Sequence, residues 1–382
     1  MLNQFFIIFI IMNYQILANK WRPKYFKSIV GQNNVISAIK NGLKLGRIHH
    51  SWLLYGMRGT GKTTIARLLA KSLNCQIGIS YIPCRICSNC KEIEKGTFID
   101  LYEIDAASRT KVEDMKELLD NIHYSPVKGK FKIYLIDEVH MLSKNSFNYL
   151  LKTIEEPPKH IKFVLATTNL EKVPKTILSR CLHFQLKPIS IFEISERVKF
   201  ILSKENILFE QEAINLLSIE SEGSLRDALN LTEQAISIGN GIVSTKNVYN
   251  MLGKLDNKKI LKITIALLRK DFKEILSILE HIRKININWE NILIEMLKLL
   301  YQISMLISFP KIDQNYLFFK DTNNNEQIYK ISRISKYADI QLYYHTLLIG
   351  QKELSIAPNF QIGVEMTILR ALHLDIDPIK HI

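Results

Sequence analysis

Two short stretches of this chain carry residue types at spacings suited to phosphate chemistry. The first is GMRGTGKT, Gly56 to Thr63, which fits the pattern G-x-x-x-x-G-K-[ST]. Its glycines, Gly56, Gly59 and Gly61, let the backbone turn tightly enough for successive N–H groups to converge on phosphate oxygens. A helix starting near Lys62 would add the positive end of its dipole. Lys62 is then placed to reach the β- and γ-phosphates of a nucleoside triphosphate, and the Thr63 hydroxyl to ligate Mg²⁺. The candidate nucleotide contacts are Gly56, Met57, Arg58, Gly59, Thr60, Gly61, Lys62, Thr63 and Thr64. The second stretch is KIYLIDE, an apolar strand that delivers Asp137 and Glu138 to the sheet edge where that loop would lie. Asp137 would hold Mg²⁺, directly or through water, and Glu138 would polarise the attacking water. Thr168, at the end of KFVLATT, would orient the same water from a neighbouring strand.

A third cluster has a different chemistry. Four of the five cysteines, Cys75, Cys84, Cys87 and Cys90, fall within sixteen residues with the spacing C-x8-C-x2-C-x2-C. A disulfide pair is disfavoured in a reducing compartment. An iron–sulfur site lacks the usual continuation, because Glu94 stands where a ferredoxin-like run would place its next cysteine. The favoured reading is a tetrahedral Cys₄ zinc site, closed and therefore structural, stapling a loop too small to build its own core. Its wider role stays open between subunit contact and architecture. Cys181 reads as a packing residue, and His49 and His50, with no third ligand in view, as structural.

These residues need elements to position them. SWLLY, DLYEID, KIYLIDE, KFVLATT and HFQLK read as five buried strands alternating with helices, one of them over 111–122 and one stopped by Pro157 and Pro158. That alternation predicts a parallel sheet covered on both faces. After Pro188 no further strand is expected. Helical patterns run to about Leu252 and again to Leu374, apart from a polar loop around Asp321 to Gln327. The expected layout is an α/β domain over 12–190, with the zinc module at about 75–90, a helical domain over 191–253, and an all-α domain over 254–382.

Composition sets bounds. The 382 residues are enough for two or three domains, and the net charge of +14, with pI near 9.3, favours an anionic partner such as nucleic acid or nucleotide. The first residues, MLNQFFIIFIIMNYQ, hold an apolar run too short to span a bilayer, with no basic residue before it and no cleavage site after it. Residues 1–11 are expected to be a non-functional extension, with Met12 the functional start. NILIEMLKLLYQISMLISF carries Glu295 and Lys298 at helical spacing and is expected to face a core rather than a membrane. A cytoplasmic protein without membrane attachment is expected.

Read in order, RPKYFKSIVGQ, LYGMRGTGKTTIARLLAKSLNC, EIDAASRTKVEDMKELLD, YLIDEVHMLSKNSFNYLLKTIEEPP, LATTN, ILSRC and EGSLRDAL form a series, with DIQLYYHTLLIGQKELSIAP and GVEMTILRALH beyond it. From about Met12 to near the end, the chain resembles the γ/τ subunits of the bacterial DNA polymerase III clamp loader, AAA+ ATPases. The resemblance implies an AAA+ P-loop domain with a five-stranded parallel sheet and a zinc insertion, a helical lid and a helical collar. It implies ATP, Mg²⁺ and Zn²⁺ as cofactors. The implied partners are other loader subunits, copies of the chain itself in a ring, the sliding clamp and primer–template DNA. Arg180 of SRC matches an arginine finger that reaches the γ-phosphate of a neighbouring subunit. Arg226 of GSLRDA matches a lid arginine that contacts the subunit's own nucleotide, and Trp21, Arg22 and Pro23 match the segment near the adenine. In SRTKVED the resemblance makes Arg109 and Lys111 candidates for sequence-independent contact with the duplex backbone. The chain stops near Ile382, after the collar-like helices, so polymerase tethering by a longer form is not carried over.

Three other readings account for less of the sequence. A non-hydrolysing scaffold would not need Lys62, Thr63, Asp137 and Glu138 together. A branch-migration motor does not account for the cysteine insertion and SRC. A zinc-dependent DNA-binding module leaves the nucleotide motifs unexplained.

Overall fold

The fold, a computed structural model, describes residues 15–108, 116, 121–283, 287–309 and 322–374. The expected extension 1–11, Met12, Arg109, Lys111 and most of the expected helix over 111–122 lie outside the described residues. The chain divides into two compact units, one ending at Ser244 and the other starting at Thr245.

The first unit is built on a five-stranded parallel sheet. Its strands are β1 (Ser51–Tyr55), β2 (Leu101–Asp105), β3 (Lys132–Asp137), β4 (Ile161–Thr167) and β5 (Leu182–Gln185), in spatial order β2–β3–β4–β1–β5. Because side chains alternate along a strand, one strand feeds two cores. Trp52, Leu54, Ile133, Leu135 and Val164 pack on one face. Leu53, Tyr134, Ile136, Phe163 and Leu165 pack on the other. Burial on both faces explains why these strands read as continuous apolar runs. The register pairs Asp105 with Asp137 and Tyr55 with Thr167, so the carboxyl ends of β1 to β4 line up at one edge.

Short helices frame this sheet: α1 (Leu17–Lys20), α2 (Asn33–Lys44), α3 (Lys62–Asn74), α4 (Ser88–Lys95), α5 (Lys144–Glu155) and α6 (Lys175–Leu178). Helix α3 follows β1 after the glycine loop and buries Ile65, Leu68, Leu69 and Leu73. Helix α5 starts at Ser143, whose hydroxyl accepts the Ser146 N–H, and ends at Glu155, just before Pro157 and Pro158.

Three further helices complete the unit: α7 (Ile191–Lys204), α8 (Gln211–Glu220) and α9 (Leu225–Ile238). Ser190 and Glu193 form a reciprocal capping box at the start of α7, worth about 1 kcal/mol as a cap. The expectation of no strand after Pro188 is corrected. Strands β6 (Leu208–Phe209) and β7 (Ile242–Val243) pair in parallel. Two-residue strands carry too little periodicity to be read from sequence, and this pairing joins segments more than thirty positions apart.

The second unit is helical throughout its described residues: α10 (Thr245–Leu252), α11 (Asn257–Arg269), α12 (Phe272–Arg283), α13 (Trp289–Ser308), α14 (Thr322–Ile334), α15 (Tyr337–Glu353) and α16 (Phe360–Leu372). Its centre is α13, the one described helix long and apolar enough to cross a membrane. Leu293, Met296, Leu300 and Ile303 on α13 are buried among Ile260, Leu267, Tyr343, Leu347 and Ile368, so it is the core helix expected. The polar loop expected around Asp321 to Gln327 is also corrected: from Thr322 the backbone is already helical. Ile328 and Ile331, buried three residues apart, anchor that helix, which extends back through an asparagine-rich run that intrinsic propensity would not assign to it.

Candidate active site

The phosphate loop is preformed by its glycines. Gly59 and Gly61 sit at φ +76° and +105°, where other residues are strained, and Gly61 leads directly into α3. Lys62 is nearly buried. Its ammonium donates to the carbonyls of Gly56 at 2.8 Å and Met57 at 2.9 Å. Burial holds it below the usual lysine range, while the carboxylates of Glu138 and then Asp137 act in the opposite direction.

The two carboxylates stand beside the loop. The Thr63 hydroxyl donates to Asp137 Oδ2 at 2.7 Å, bringing together the two oxygens expected to hold Mg²⁺. A hydroxyl and a carboxylate in contact are the hard oxygen donors that Mg²⁺ takes, so the residues fit the ion. Glu138 sits in the left-handed region at φ +48°. Its Oε2 accepts the N–H of Thr168 at 3.0 Å and the Thr168 hydroxyl at 2.9 Å.

A cleft of about 410 Å³ opens over this edge, lined by Trp21, Arg22, Pro23, the run Arg58 to Thr64, Asp137, Glu138 and Arg226. Gly56 and Met57 lie beneath it as acceptors for Lys62. Thr168 reaches it through Glu138. Leu225, Arg226 and Leu229 of α9 line it as well. Ser224 caps α9 by accepting the Asp227 N–H, which sets Arg226 in the first turn facing the loop. Burial lowers the pKa of Arg22, and the nearby Arg67 adds to this.

Trp21 is held by the end of α7 as well as lining the cleft. Its indole N–H donates to Glu205 Oε1 at 2.8 Å, and its ring meets Phe200 edge-on at 5.8 Å. Lys20 donates to the other Glu205 oxygen at 2.6 Å, and the Leu17 N–H donates to Glu233 at 2.8 Å. The segment around α1 therefore ties the Trp21 side of the cleft to α7 and α9.

Arg180 does not line its own chain's cleft. It follows α6 at the start of β5, on the far side of β1. Its backbone carbonyl accepts the hydroxyl of the buried Ser51 at 2.6 Å. Its guanidinium is about a third exposed, pairs with Glu155 at 2.7 Å and donates to the Thr176 carbonyl at 2.8 Å. The neighbouring Cys181 is partly buried, and burial raises its pKa, as suits a packing residue. His49 and His50 stack at 4.2 Å, with His49 bonded to Ser51.

The sulfurs of Cys75, Cys84, Cys87 and Cys90 all lie within 4.8 Å of one another. Turn N–H groups point at them: Cys84 N–H to Cys75, Cys87 N–H to Cys84 and Cys90 N–H to Cys87, at 3.4 to 3.5 Å. The Cys84 thiol is pulled down to about 6, first by the Cys87 backbone N–H, whereas burial pushes Cys90 up. Four convergent sulfurs with oriented backbone donors fit a tetrahedral thiolate-bound ion.

Sequence reasoning missed the apolar part of the cleft, Ala18, Ile29, Val30, Ile189, Leu225 and Leu229, together with Asp105 and Ala107 at the end of β2. The apolar residues carry no chemical signature. Asp105 was legible in principle, since its strand pairs with β3 and ends at the same level.

Three family profiles cover the chain in succession. They are described as DNA polymerase III, delta subunit, over residues 31–190; DNA polymerase III clamp loader subunit, ATPase lid domain, over 193–241; and DNA polymerase III subunits gamma and tau domain III, over 243–381. The DNA polymerase III subunit gamma of Buchnera aphidicola subsp. Baizongia pistaciae is 60% identical over 368 residues, covering 96% of this chain and 99% of that protein. The subunit tau of Escherichia coli is 53% identical over 361 residues, covering 94% of this chain and 56% of that longer protein. Among solved structures, Thermotoga maritima RuvB overlaps 65% of this chain and 80% of its own at 23% identity and a TM-score of 0.45. On the sequence relatives and the consecutive profiles, the chain belongs to the gamma/tau family of DNA polymerase III subunits, the ATPase subunits of the clamp loader.

Proposed function

We propose that this chain binds ATP with Mg²⁺ in the cleft between the phosphate loop and α9, and that hydrolysis there is completed by Arg180 of a neighbouring copy. Lys62 and the loop amides would hold the phosphates, with Arg58, Thr60 and Thr64 beside them. Thr63 and Asp137 would hold Mg²⁺, which neutralises phosphate charge when bound. Glu138 would draw the proton of an attacking water, steadied by Thr168. Arg226 would report occupancy to the helical lid, and Trp21, Arg22 and Pro23 would close the adenine side. The observation that carries the reading is the location of Arg180. It is a partly exposed guanidinium outside its own cleft, anchored through its backbone to β1, beside an otherwise complete set of phosphate-chemistry residues. Such a cation is of use to phosphoryl chemistry only at another subunit's site, where it is worth about 10³–10⁵ in rate.

On this reading ATP binding favours a ring conformation that opens the sliding clamp, and primer–template DNA aligns each finger with the next site. Hydrolysis then releases the clamp around DNA. The partners are other loader subunits, further copies of this chain, the clamp and DNA, with Arg109 and Lys111 as backbone-contact candidates. The ATPase domain would span 12–190, the lid 191–253 and the collar 254–382, with zinc bound by Cys75, Cys84, Cys87 and Cys90. The setting is cytoplasmic. In the assembled loader, Arg180→Ala should abolish DNA-stimulated ATP turnover while nucleotide affinity is unchanged. Normal stimulation would refute the reading.

A further inference from the structure

Glu138 has a further polar neighbour. Beyond β3 the chain makes a single 3₁₀ turn, Val139–Met141, which returns the side chain of His140 toward the strand it has just left. The imidazole is only 11% exposed, and its Nδ1 lies 2.9 Å from Thr167 Oγ1 and 3.3 Å from Glu138 Oε2. The geometry fixes which atom carries the hydrogen. The Thr167 hydroxyl gives its own proton to the Asn169 carbonyl at 3.0 Å and accepts the Asn169 N–H at 3.1 Å. With that proton committed, Thr167 Oγ1 can only accept from the ring. The Glu138 carboxylate can also only accept. Both neighbours of Nδ1 are acceptors, so Nδ1 bears the hydrogen; it bonds Thr167 Oγ1, with Glu138 Oε2 close by at 3.3 Å.

One oxygen of Glu138 therefore takes two hydrogen bonds, from the Thr168 N–H and the Thr168 hydroxyl, and has the His140 Nδ1 3.3 Å away. The two from Thr168 come from one residue on one side. The imidazole comes from another element, and Thr167 holds its ring plane in turn. The terminal torsion of a glutamate is broad, so donors from a single residue define it poorly. A second, independently anchored polar neighbour restricts the carboxylate plane, and all of these contacts fall on Oε2 rather than Oε1.

We propose that His140 is a positioning residue for ATP hydrolysis, orienting Glu138 so that Oε1 faces the attacking water. The proposal rests on the reading of Glu138 as the water-polarising group. His140 does not line the cleft; it acts through Glu138. Misplacing a reacting group by about an ångström costs on the order of a hundredfold.

The test uses the full chain in the assembled loader with primed DNA, measuring kcat, nucleotide affinity and melting temperature. His140→Ala should lower kcat by about ten- to a hundredfold and leave nucleotide affinity within about twofold. His140→Asn, whose amide can donate from the position of Nδ1, should recover most of that loss. Adding His140→Ala to Glu138→Gln should cost nothing further. Native turnover by His140→Ala, or a loss that Asn does not repair and that tracks lowered affinity and melting temperature, would overturn the proposal. Glu138→Gln separates the two failures. If it turns over normally, the reading of Glu138 falls and the proposal with it; if it is inactive while His140→Ala is native, only the positioning role falls.

Discussion

A methyl group added at position 59 should act on the lid rather than on the loop alone. Gly59 lies at φ +76°, and a Cβ built there would sit 1.9 Å from Ser224 Oγ, 3.0 Å from Ser224 Cβ and 3.3 Å from Arg226 Cβ. Gly59→Ala thus carries two costs. Left-handed strain at a non-glycine residue costs about 1–2 kcal/mol. The clash must move Ser224, whose hydroxyl caps α9 by accepting the Asp227 N–H. Losing that cap, and the seating of Arg226 that depends on it, costs about 1–2 kcal/mol more. In nucleotide affinity this second part is roughly five- to thirtyfold. Ser224→Gly removes both clashing atoms and costs only a few tenths of a kcal/mol at an N-cap. The double variant should therefore bind nucleotide better than Gly59→Ala alone, by about the second part of the cost. Gly61→Ala is the control. It has the same kind of strained backbone, at φ +105°, with open space around its Cβ, so Ser224→Gly should not rescue it. Titration of a fluorescent ATP analogue against all five variants reads the cycle. Strict additivity at position 59, or equal rescue at position 61, would refute the claim that the lid seats on Gly59.

Two further outcomes follow from the same geometry. Glu205 is held below the ordinary glutamate value of 4.5, chiefly by the hydrogen bond from Lys20 and also by that from Trp21, against the opposing effect of burial. A depressed carboxyl stabilises the fold above its unfolded value, and that contribution is lost as pH falls through the folded one. Glu205→Gln should melt below the native chain at neutral pH and converge with it as pH falls below 4.5; a gap that stays constant with pH would refute the link. The four convergent sulfurs predict stoichiometric zinc by elemental analysis. Cys84→Ser or strong chelation should release it and lower the melting temperature, and a metal-free native chain with unchanged stability would refute the site.

The readable parts of this protein were those where chemistry or burial restricts residue choice. The loop from Gly56 to Thr63 was legible because phosphate binding needs glycine, lysine and hydroxyl in fixed order. The five strands were legible because burial on both faces leaves unbroken apolar runs. Their spatial order was not, since nothing local in KFVLATT says that it lies between β1 and β3. The β6–β7 pair and the start of α14 failed for a related reason: each is decided by partners distant in sequence, against weak local signals. His140 escaped notice because a histidine two residues after the acidic end of a strand has no motif of its own. Only the 3₁₀ turn and the hydroxyl of Thr167, on another strand, give it a direction. Arg180 took its meaning from the family resemblance, and the fold adds why it cannot serve its own cleft.

The most direct test mixes two defective chains. Lys62→Ala disables a site but keeps its finger, and Arg180→Ala disables a finger but keeps its site. Each variant alone should give a loader with little DNA-stimulated turnover. Co-assembled, they should recover activity, because some interfaces then join an intact Lys62 to an intact Arg180 from the adjacent chain. If co-assembled rings never exceed the sum of the two separate variants, Arg180 acts within its own subunit or not at all, and the shared-site account is wrong.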